Sequence, residues 1–486
     1  MISDVVRVRF APSPTGYLHV GGLRTALYNY LFAKHNNGKF VLRIEDTDRN
    51  RYVEGAVENL ITTMKWAGLD YDEGPEIGGE FGPYFQSQRL EIYNKYVNEL
   101  IEKGNAYRCF CSAERIQNLR EEQQAKKLQA KYDKHCLNLT KEEIEQKMQA
   151  GEQYVIRLNV PVNQRILIED IVRGHVEFNS DTVDDQILIK SDGFPTYHLA
   201  NVVDDHLMKI THVIRGEEWL TSTPKHVLLY DFFEWERPKF AHLPLLLNPD
   251  KSKLSKRQGD VAVEDYQKKG YLKEALINFV ALLGWNAGDD VEIYEMEQLI
   301  EKFSLERVNK AGAVFNVEKL DWLNFEHLKN KPNEDILSML KEELKNSKYA
   351  EKNFSDEYLL NVIESMKERV SFVKEFIEKS FYYFESPTEF DESVIQKRWK
   401  EDTPQQLTEL RSAFEKLDNP NKEDFENALR STAEKLNVGA GKLIHPLRLA
   451  VSGTGQGPGL FDLLFTLGKE EVIRRINTAL ETIKPN

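Results

Sequence analysis

The sequence is poor in cysteine and has no long apolar stretch, and each absence excludes a class of protein. Three of its 486 residues are cysteine, too few for a fold that depends on disulfides. No apolar run approaches the ~18 residues that a membrane-spanning helix needs, and the first residues lack the basic-then-apolar order of a secretory signal peptide. We therefore expect a cytoplasmic protein with no membrane partner.

An excess of basic residues is also absent. The chain carries 65 lysines and arginines against 79 aspartates and glutamates, for a formal net charge of −14. An acidic balance argues against a nucleic-acid partner. It does not exclude one, because phosphate contacts are local and a large protein can carry a basic surface on an acidic body. The length exceeds that of a single hydrophobic core, so we expect about two to four domains.

The start of the chain predicts a strand, a turn and a helix. Residues 5–10 alternate apolar and basic side chains, which is typical of a strand. After a turn, apolar residues recur at helical spacing from Leu23 to Leu31. A second apolar strand at 40–44 completes a βαβ unit, the nucleus of a doubly wound parallel sheet. The sequence thus predicts an α/β fold of Rossmann type.

Composition divides the rest of the chain. Residues 105–185 hold all three cysteines and a charged helical run, which indicates an α+β insertion, and apolar strands at 186–190 and 210–214 are expected to continue the core sheet. Beyond about residue 325, charged amphipathic segments predict an all-helical half. The expected domains are a split α/β domain at 1–104 and 186–245, the insertion at 105–185, a region at 246–325 that carries a lysine-rich loop, and helical domains at 326–380 and 381–486.

The turn after the first strand is typical of a nucleotide site. Unpaired N–H groups and the helix dipole at Gly21 and Gly22 attract anions, and glycines let a ribose or phosphate approach the backbone. His19 can donate a hydrogen bond to a phosphate. The turn follows the carboxyl end of a strand, where open α/β sheets bind ligands. Taken alone, the same turn also fits a plain connection.

A second polar segment is dense in lysine. Residues 253–257 read Lys-Leu-Ser-Lys-Arg within a loop at 248–260. A lysine run is usually a solvated surface, but its ammonium groups can also neutralise charge that develops on a leaving pyrophosphate. The two segments together supply what a nucleoside triphosphate site needs.

Charged side chains fall at the ends of the predicted strands. Arg9 lies next to the turn, Glu45 ends the second strand, and Arg215 follows the strand at 210–214. An arginine fork suits a carboxylate, and a carboxylate suits an ammonium group. The same residues also fit plain salt bridges, and the pattern leaves both roles open.

These segments resemble the signatures of the class I aminoacyl-tRNA synthetases. Residues 12–22 (Pro-Ser-Pro-Thr-Gly-Tyr-Leu-His-Val-Gly-Gly) are similar to the glutamyl and glutaminyl form of the first signature, and residues 44–49 (Ile-Glu-Asp-Thr-Asp-Arg) strengthen the match. Residues 253–257 are similar to the second signature, with Leu254 and Arg257 at the positions usually held by Met and Ser. The resemblance runs along the whole chain and is to the bacterial glutamyl branch, whose carboxyl-terminal half is helical.

The resemblance implies a monomeric ligase that uses ATP with Mg²⁺ to join L-glutamate to tRNA(Glu). It assigns catalytic roles to His19, Lys253 and Lys256. The ATP contacts that it implies are Pro12, His19, Gly21, Gly22, Glu218, Ser255 and Lys256. The implied glutamate contacts are Arg9, Ser13, Glu45, Tyr197, Asn201 and Arg215. The implied anticodon contacts are Arg369, Arg448 and Leu460.

The cysteines fit a zinc framework. Cys109 and Cys111 form a C-x-C pair, and Cys136 follows. Some glutamyl members of the family add a histidine two residues after the last cysteine, where this chain has Asn138. His135 is the neighbouring alternative. A zinc-free domain and a bound metal are equal expectations.

Other functions share part of the pattern. A glutaminyl enzyme would read a neutral amide and carry a β-barrel anticodon domain, and a non-discriminating form would also charge tRNA(Gln). Nucleotidylyltransferases of small molecules share the turn and the basic loop but lack a helical half. A non-catalytic tRNA-binding paralogue would be expected to lose His19, Lys256, Arg9 or Arg215, and all four are present.

Overall fold

The computed structural model describes residues 5–254 and 262–484. Its strands are β1 (Arg7–Phe10), β2 (Lys39–Leu42), β3 (Ala106–Cys109), β4 (Val155–Leu158), β5 (Arg165–Asp170), β6 (Gly174–Asn179), β7 (Ile187–Ile189), β8 (His212–Gly216), β9 (Lys239–Leu243), β10 (Leu246–Leu247) and β11 (Ala313–Val314). The chain forms two compact units. The first holds residues up to 269 and 273–319, and the second holds 270–272 and the residues from 320 on.

Helices occur in both units. Those up to residue 302 are α1 (Val20–His35), α2 (Ala56–Trp66), α3 (Leu90–Glu102), α4 (Ala113–Ala125), α5 (Lys141–Gln149), α6 (Tyr197–Leu207), α7 (Thr223–Phe232), α8 (Val263–Lys269), α9 (Lys273–Ala281) and α10 (Met296–Lys302). Those from residue 317 on are α11 (Val317–Asn330), α12 (Asn333–Lys345), α13 (Asp356–Met366), α14 (Glu375–Glu378), α15 (Glu392–Arg398), α16 (Thr403–Glu415), α17 (Lys422–Lys435), α18 (Gly441–Ser452), α19 (Leu460–Leu467) and α20 (Lys469–Thr482).

The predicted βαβ unit is confirmed. β1 and β2 pair in parallel with α1 between them, and all four residues of β1 are buried, as expected for a strand covered on both faces. β8 pairs in parallel with β9. The amide of Thr211 donates to the carbonyl of Arg7 at 2.9 Å, which places β8 beside β1. The carboxyl ends of β1, β2 and β8 therefore meet at one edge.

One strand has a different partner from the expected one. Residues 186–190 were expected to continue the core sheet, but β7 pairs antiparallel with β4, which pairs with β3. A short apolar run fits either sheet, so apolarity alone did not identify its neighbour. The β5–β6 hairpin lies beside β9 in a four-stranded sheet of order β6-β5-β9-β8. The finer domain boundaries stay a prediction.

The second unit confirms the all-helical expectation for the carboxyl-terminal half. Three of its described helices, α13, α15 and α17, begin at a side-chain cap. The side chain of Asn421 accepts hydrogen bonds from the amides of Glu423 and Asp424 at the start of α17, which satisfies amides that lack partners within the helix. In the described part of the chain, no helix has both the length and the apolar character needed to cross a membrane.

Candidate active site

A cleft of about 870 Å³ opens at the carboxyl edge of β1, β2 and β8 in the first unit. Most of the residues predicted for ATP and glutamate line it: Arg9, Ser13, His19, Gly21, Gly22, Glu45, Tyr197, Arg215, Glu218 and Lys253. Pro12 lies next to the lining, where its carbonyl accepts a hydrogen bond from the amide of Glu45 at 2.9 Å. Ser255 and Lys256 lie outside the described residues.

The amino-terminal end of α1 forms one wall of the cleft. His19 caps the helix, and its Nδ1 accepts a hydrogen bond from the amide of Gly22 at 3.1 Å. Because Nδ1 is the acceptor, the proton of the neutral ring sits on Nε2. A Cβ atom on Gly21 would lie 3.0 Å from the His19 ring, and one on Gly22 would lie 2.7 Å from Leu18 Cδ1. A side chain at Gly21 would therefore crowd the His19 ring, and one at Gly22 would clash with Leu18, whatever ligand binds there.

Two further predicted residues lie at the cleft. The chain doubles back after β10, so that Lys253 forms an antiparallel bridge with Leu247 and is exposed. Glu218 is also exposed, and its carboxylate packs against the backbone of Gly216, because a Cβ atom there would lie 2.2 Å from Glu218 Oε2.

A buried group of opposite charges forms the floor of the cleft. Arg9 Nε lies 3.0 Å from Asp205 Oδ1, and Arg43 bridges Asp205 at 2.8 Å and Glu45 at 3.1 Å. Burial raises the pKa of Glu45 to about 7, although Arg43 and Arg9 act in the opposite direction. Burial also opposes ionisation of Asp205, but Arg9 and Arg43 hold its pKa below the ordinary value. Arg9 and Glu45 thus belong to one ionic group.

Arg215 lies in a separate set of hydrogen bonds. Its Nη1 donates to Tyr197 Oη at 2.9 Å, and its Nε donates to His242 Nε2 at 3.1 Å. Its Nη2 donates to Thr223 Oγ1 at 3.0 Å and to His226 Nδ1 at 3.1 Å. The guanidinium is fixed on three sides, and its Nη1 edge points toward Tyr197 at the cleft.

Asn201 connects these two groups. The Asn201 side-chain nitrogen donates a hydrogen bond to Asp205 Oδ2 at 2.7 Å. The Asn201 side-chain oxygen accepts hydrogen bonds from Arg215 Nη1 at 3.3 Å and from Tyr197 Oη at 3.2 Å. The ring of Trp219 lies against that of Tyr197, with 4.0 Å between centroids. These two groups therefore present Arg9, Arg215, the Glu45 carboxylate and an aromatic wall to the cleft, a set suited to a zwitterion with a further carboxylate.

Several residues of this site were not predicted from the sequence. They are Arg43, Asp170, Asp205, Thr223, His226 and His242. The one signal present in the sequence was a charged side chain inside an apolar segment, as for Arg43 in the strand at 40–44. Such residues are rarely buried without a partner.

The three cysteines converge in the first unit. Their sulfur atoms all lie within 4.8 Å of one another, and the hydroxyl of Tyr132 lies 3.4 Å from Cys109 Sγ and 3.2 Å from Cys111 Sγ. A hydrogen bond with Cys136 lowers the pKa of Cys109 to about 4, against the effect of burial. His135 and Asn138 are both exposed. The group that accompanies the cysteines is Tyr132.

The residues predicted to read the anticodon lie in the second unit. Arg369 is exposed and Arg448 is half-buried. Burial lowers the pKa of Arg448, Tyr382 acts in the opposite direction, and Arg369 adds to the lowering. Gly457 packs against Tyr382 and Arg448. Leu460 begins α19 and is 6% exposed.

Comparisons with known proteins agree with this architecture. A family model described as the catalytic domain of class I tRNA synthetases (E and Q) matches residues 5–322, and a model of an anticodon-binding domain matches residues 325–480. The glutamate–tRNA ligase of Chloroherpeton thalassium is 56% identical, with 99% of each chain covered. That of Chlorobium luteolum is 54% identical, with the same coverage.

A solved structure gives the same result for the fold. A glutamate tRNA ligase from Elizabethkingia meningosepticum, in complex with its amino acid, is 43% identical to this chain with a TM-score of 0.94, and the match covers 99% of this chain and 100% of that one. The catalytic and anticodon-binding models together span the chain almost from end to end. The chain therefore belongs to the class I tRNA synthetases of the glutamate and glutamine group.

Proposed function

We propose that this protein is a glutamate–tRNA ligase. It activates L-glutamate with ATP to give glutamyl-adenylate and pyrophosphate, and then transfers the glutamyl group to the 3′ end of tRNA(Glu), releasing AMP. The observation that carries the proposal is one cleft that holds Arg9, Arg215 and Glu45 beside the amino-terminal end of α1. The relatives that share the chain's full length carry the same activity in their names.

The glutamate contacts follow from the charges in the cleft. Arg215 receives the side-chain carboxylate, because its Nη1 edge points toward the cleft and a guanidinium binds carboxylates well. Glu45, as the ionised carboxylate at the other side, receives the α-ammonium group. Arg9 balances Glu45 and Asp205, and Ser13, Tyr197 and Asn201 complete the contacts.

ATP occupies the side of the cleft formed by α1. His19 donates from Nε2 to a phosphate, and Gly21, Gly22, Pro12 and Glu218 contact the rest of the nucleotide. Lys253 and Lys256, with Ser255, neutralise charge on the leaving pyrophosphate, and Mg²⁺ accompanies the phosphates. No nucleophilic side chain is needed, since the glutamate carboxylate attacks the α-phosphorus and the protein positions and stabilises the reacting groups.

The second unit reads the anticodon through Arg369, Arg448 and Leu460. Arg369 is close enough to Arg448 to lower its pKa, and two neighbouring arginines suit a polyanionic ligand. We infer that Arg369 gives a preference for tRNA(Glu) over tRNA(Gln). Residues 105–185 contact the acceptor stem, residues 246–325 contact the stem region, and the helical domains at 326–380 and 381–486 contact the anticodon arm. The protein acts as a monomer in the cytoplasm, where translation consumes its product.

Zinc is proposed at Cys109, Cys111 and Cys136, with the Tyr132 hydroxyl as the fourth donor. Sulfur atoms bound to one tetrahedral zinc at ~2.3 Å lie roughly 3.8 Å apart. The Cys111 and Cys136 sulfur atoms are 3.5 Å apart, so the cluster fits the metal. Elemental analysis of the purified protein tests the site. A value near one equivalent supports it, and less than about a tenth of an equivalent contradicts it, because structural zinc binds tightly.

The reaction itself is tested by pyrophosphate release. We expect release that requires glutamate, ATP and tRNA(Glu) together, because activation in this family usually needs bound tRNA. Release with glutamate and ATP alone would contradict the tRNA requirement but not the ligase. Release with a small-molecule acceptor in place of tRNA would contradict the ligase.

A further inference from the structure

Arg215 is held by neutral acceptors. In the parts of the chain that the structure describes, no carboxylate forms an ion pair with Arg215, which is 5% exposed. Its partners are the hydroxyl of Thr223, the phenol of Tyr197, the amide oxygen of Asn201 and the imidazoles of His226 and His242. The charge of Arg215 is therefore uncompensated at contact distance.

The two neighbouring arginines of the floor are different. Arg9 and Arg43 both lie against the carboxylate of Asp205, at 3.0 Å and 2.8 Å. A carboxylate in contact with an arginine cancels much of its attraction for another anion. Of these three arginines, Arg215 is thus the one whose positive charge is not paired with a carboxylate of the protein and can attract an anionic ligand.

Chemistry fixes the protonation of His242. A guanidinium can donate but not accept, so His242 Nε2 must accept from Arg215 Nε and carry no proton. The ring proton sits on Nδ1, which lies 2.6 Å from Asp170 Oδ2. The other oxygen of Asp170 accepts from the amides of Val172 at 3.0 Å and Arg173 at 2.8 Å. Asp170 therefore selects the tautomer that turns an acceptor toward Arg215.

The same argument fixes His226. Its Nδ1 accepts from Arg215 Nη2, so the proton sits on Nε2 and points at His198 Nδ1, 3.1 Å away. Burial keeps all three histidines neutral. It lowers the pKa of His198 to about 3, that of His242 to about 4, and that of His226 well below its ordinary value, and Arg215 contributes to each. Two neutral rings can thus bind a cation without cancelling it.

We propose that His226 and His242 are positioning residues that fix Arg215 while preserving its full charge, and that this arrangement sets the preference for glutamate over glutamine. The inference rests on the proposed function, since it takes the side-chain carboxylate of glutamate as the ligand of Arg215. An uncompensated cation favours a carboxylate over a neutral amide of the same shape. A cation that already contacts a carboxylate of the protein attracts a second carboxylate less, so its preference for a carboxylate over an amide is smaller.

A matched pair of variants at His226 separates charge from position. Asn and Asp are nearly equal in size and either can place an oxygen near the site of Nδ1, but Asp adds a negative charge where Asn carries a neutral NH₂ group. We expect His226→Asp to raise the KM for glutamate by about tenfold relative to His226→Asn, which corresponds to about 1.4 kcal/mol. The ratio of kcat/KM for glutamate over glutamine is expected to fall in parallel, while the KM for ATP stays equal in the two variants. Equal KM values for glutamate in the two variants would overturn the proposal.

Asp170→Asn tests the His242 branch independently. The asparagine oxygen keeps the backbone contacts of Asp170, but its NH₂ group faces His242 Nδ1 and drives the ring proton to Nε2. Two donors, Nε2–H and the Nε–H of Arg215, then face each other. We expect the ¹⁵N shifts of His242 to report the change of tautomer, with a rise of about tenfold in the KM for glutamate. A change of tautomer with an unchanged KM for glutamate would refute the role of His242.

The unchanged protein separates this inference from the proposed function. If it does not charge tRNA(Glu) with glutamate, the proposed function fails first. If it does charge tRNA(Glu), the two His226 variants decide the inference. Equal KM values for glutamate in His226→Asp and His226→Asn, with both variants keeping the thermal unfolding midpoint of the unchanged protein, would refute the positioning inference alone.

Discussion

Glu45 is the group whose titration bears most directly on substrate binding. It is 5% exposed and bridges Arg43 at 3.1 Å. Burial raises its pKa from 4.5 to about 7. If its ionised form binds the α-ammonium group of glutamate, the affinity for glutamate must fall as the pH drops through 7.

The size of the effect follows from the fraction of Glu45 that is ionised. With a pKa of about 7, roughly nine-tenths of the carboxylate is ionised at about pH 8 and about a tenth at about pH 6. Apparent affinity scales with the competent fraction, so the KM for glutamate is expected to rise about tenfold from pH 8 to pH 6. Glu45→Gln cannot titrate, so its KM for glutamate is expected to be high and nearly constant over the same range.

The same pKa shift predicts a cost in stability. Because the folded pKa is raised, the contribution of Glu45 is fully present below pH 4.5 and is lost as the pH rises to about 7. A rise from 4.5 to about 7 corresponds to about 3 kcal/mol. Glu45→Gln is therefore expected to be more stable than the unchanged protein at about pH 8, by up to about 3 kcal/mol, and no more stable at about pH 4.5.

Steady-state aminoacylation at several pH values, with the KM for ATP as the control, measures the binding effect. Urea unfolding at the same pH values measures the stability effect. A KM for glutamate that stays flat in the unchanged protein, or that depends on pH equally in Glu45→Gln, would refute the reasoning.

Three further predictions concern the rest of the molecule. Gly457 has a φ of 146°, and an added Cβ atom would lie 3.0 Å from Tyr382 Oη and 3.2 Å from Arg448 Nη1. Gly457→Ala is therefore expected to raise the KM for tRNA by about tenfold or more, through strain of about 1–3 kcal/mol. Gly439→Ala is the control, because a Cβ atom there meets nothing within 4 Å, and equal effects of the two changes would contradict the prediction. Tyr132→Phe is expected to lower zinc affinity by about tenfold or more in chelator competition, and unchanged affinity would exclude Tyr132 as a donor. Arg369→Gln is expected to relax the preference for tRNA(Glu) over tRNA(Gln) in competitive charging, and an unchanged preference would remove Arg369 from discrimination.

The charged residues at the strand ends could be predicted from the sequence, but the side chains that they contact could not. Arg9, Glu45 and Arg215 stand where apolar strands stop, so their meeting at one edge follows from the parallel topology. Asp205 lies in α6, 196 positions from Arg9. Nothing local in the sequence distinguishes it from a surface carboxylate. Asp205 and Arg9 come into contact only because α6 packs beside β1 in the folded protein.

The cluster of three cysteines shows the same limit. The spacing of Cys109, Cys111 and Cys136 predicts a metal framework, but the candidates for a fourth donor near the last cysteine in the sequence are Asn138 and His135, and both are exposed. The structure brings Tyr132 to the cysteines because the chain after α4 folds back, with Tyr132 Oη 3.0 Å from the amide of Cys136. The partner of β7 was missed for a related reason, since three apolar residues do not specify which sheet they join.

The most direct test of the account is the identity of the amino acid that the protein attaches to tRNA. Purified protein, tRNA(Glu) and ATP are incubated with glutamate or with glutamine, and charged tRNA is separated on acid gels. The charges around Arg215 and Glu45 predict charging with glutamate and little or none with glutamine. Equal charging with both amino acids, or charging with glutamine alone, would contradict the claim that this cleft selects an acidic side chain.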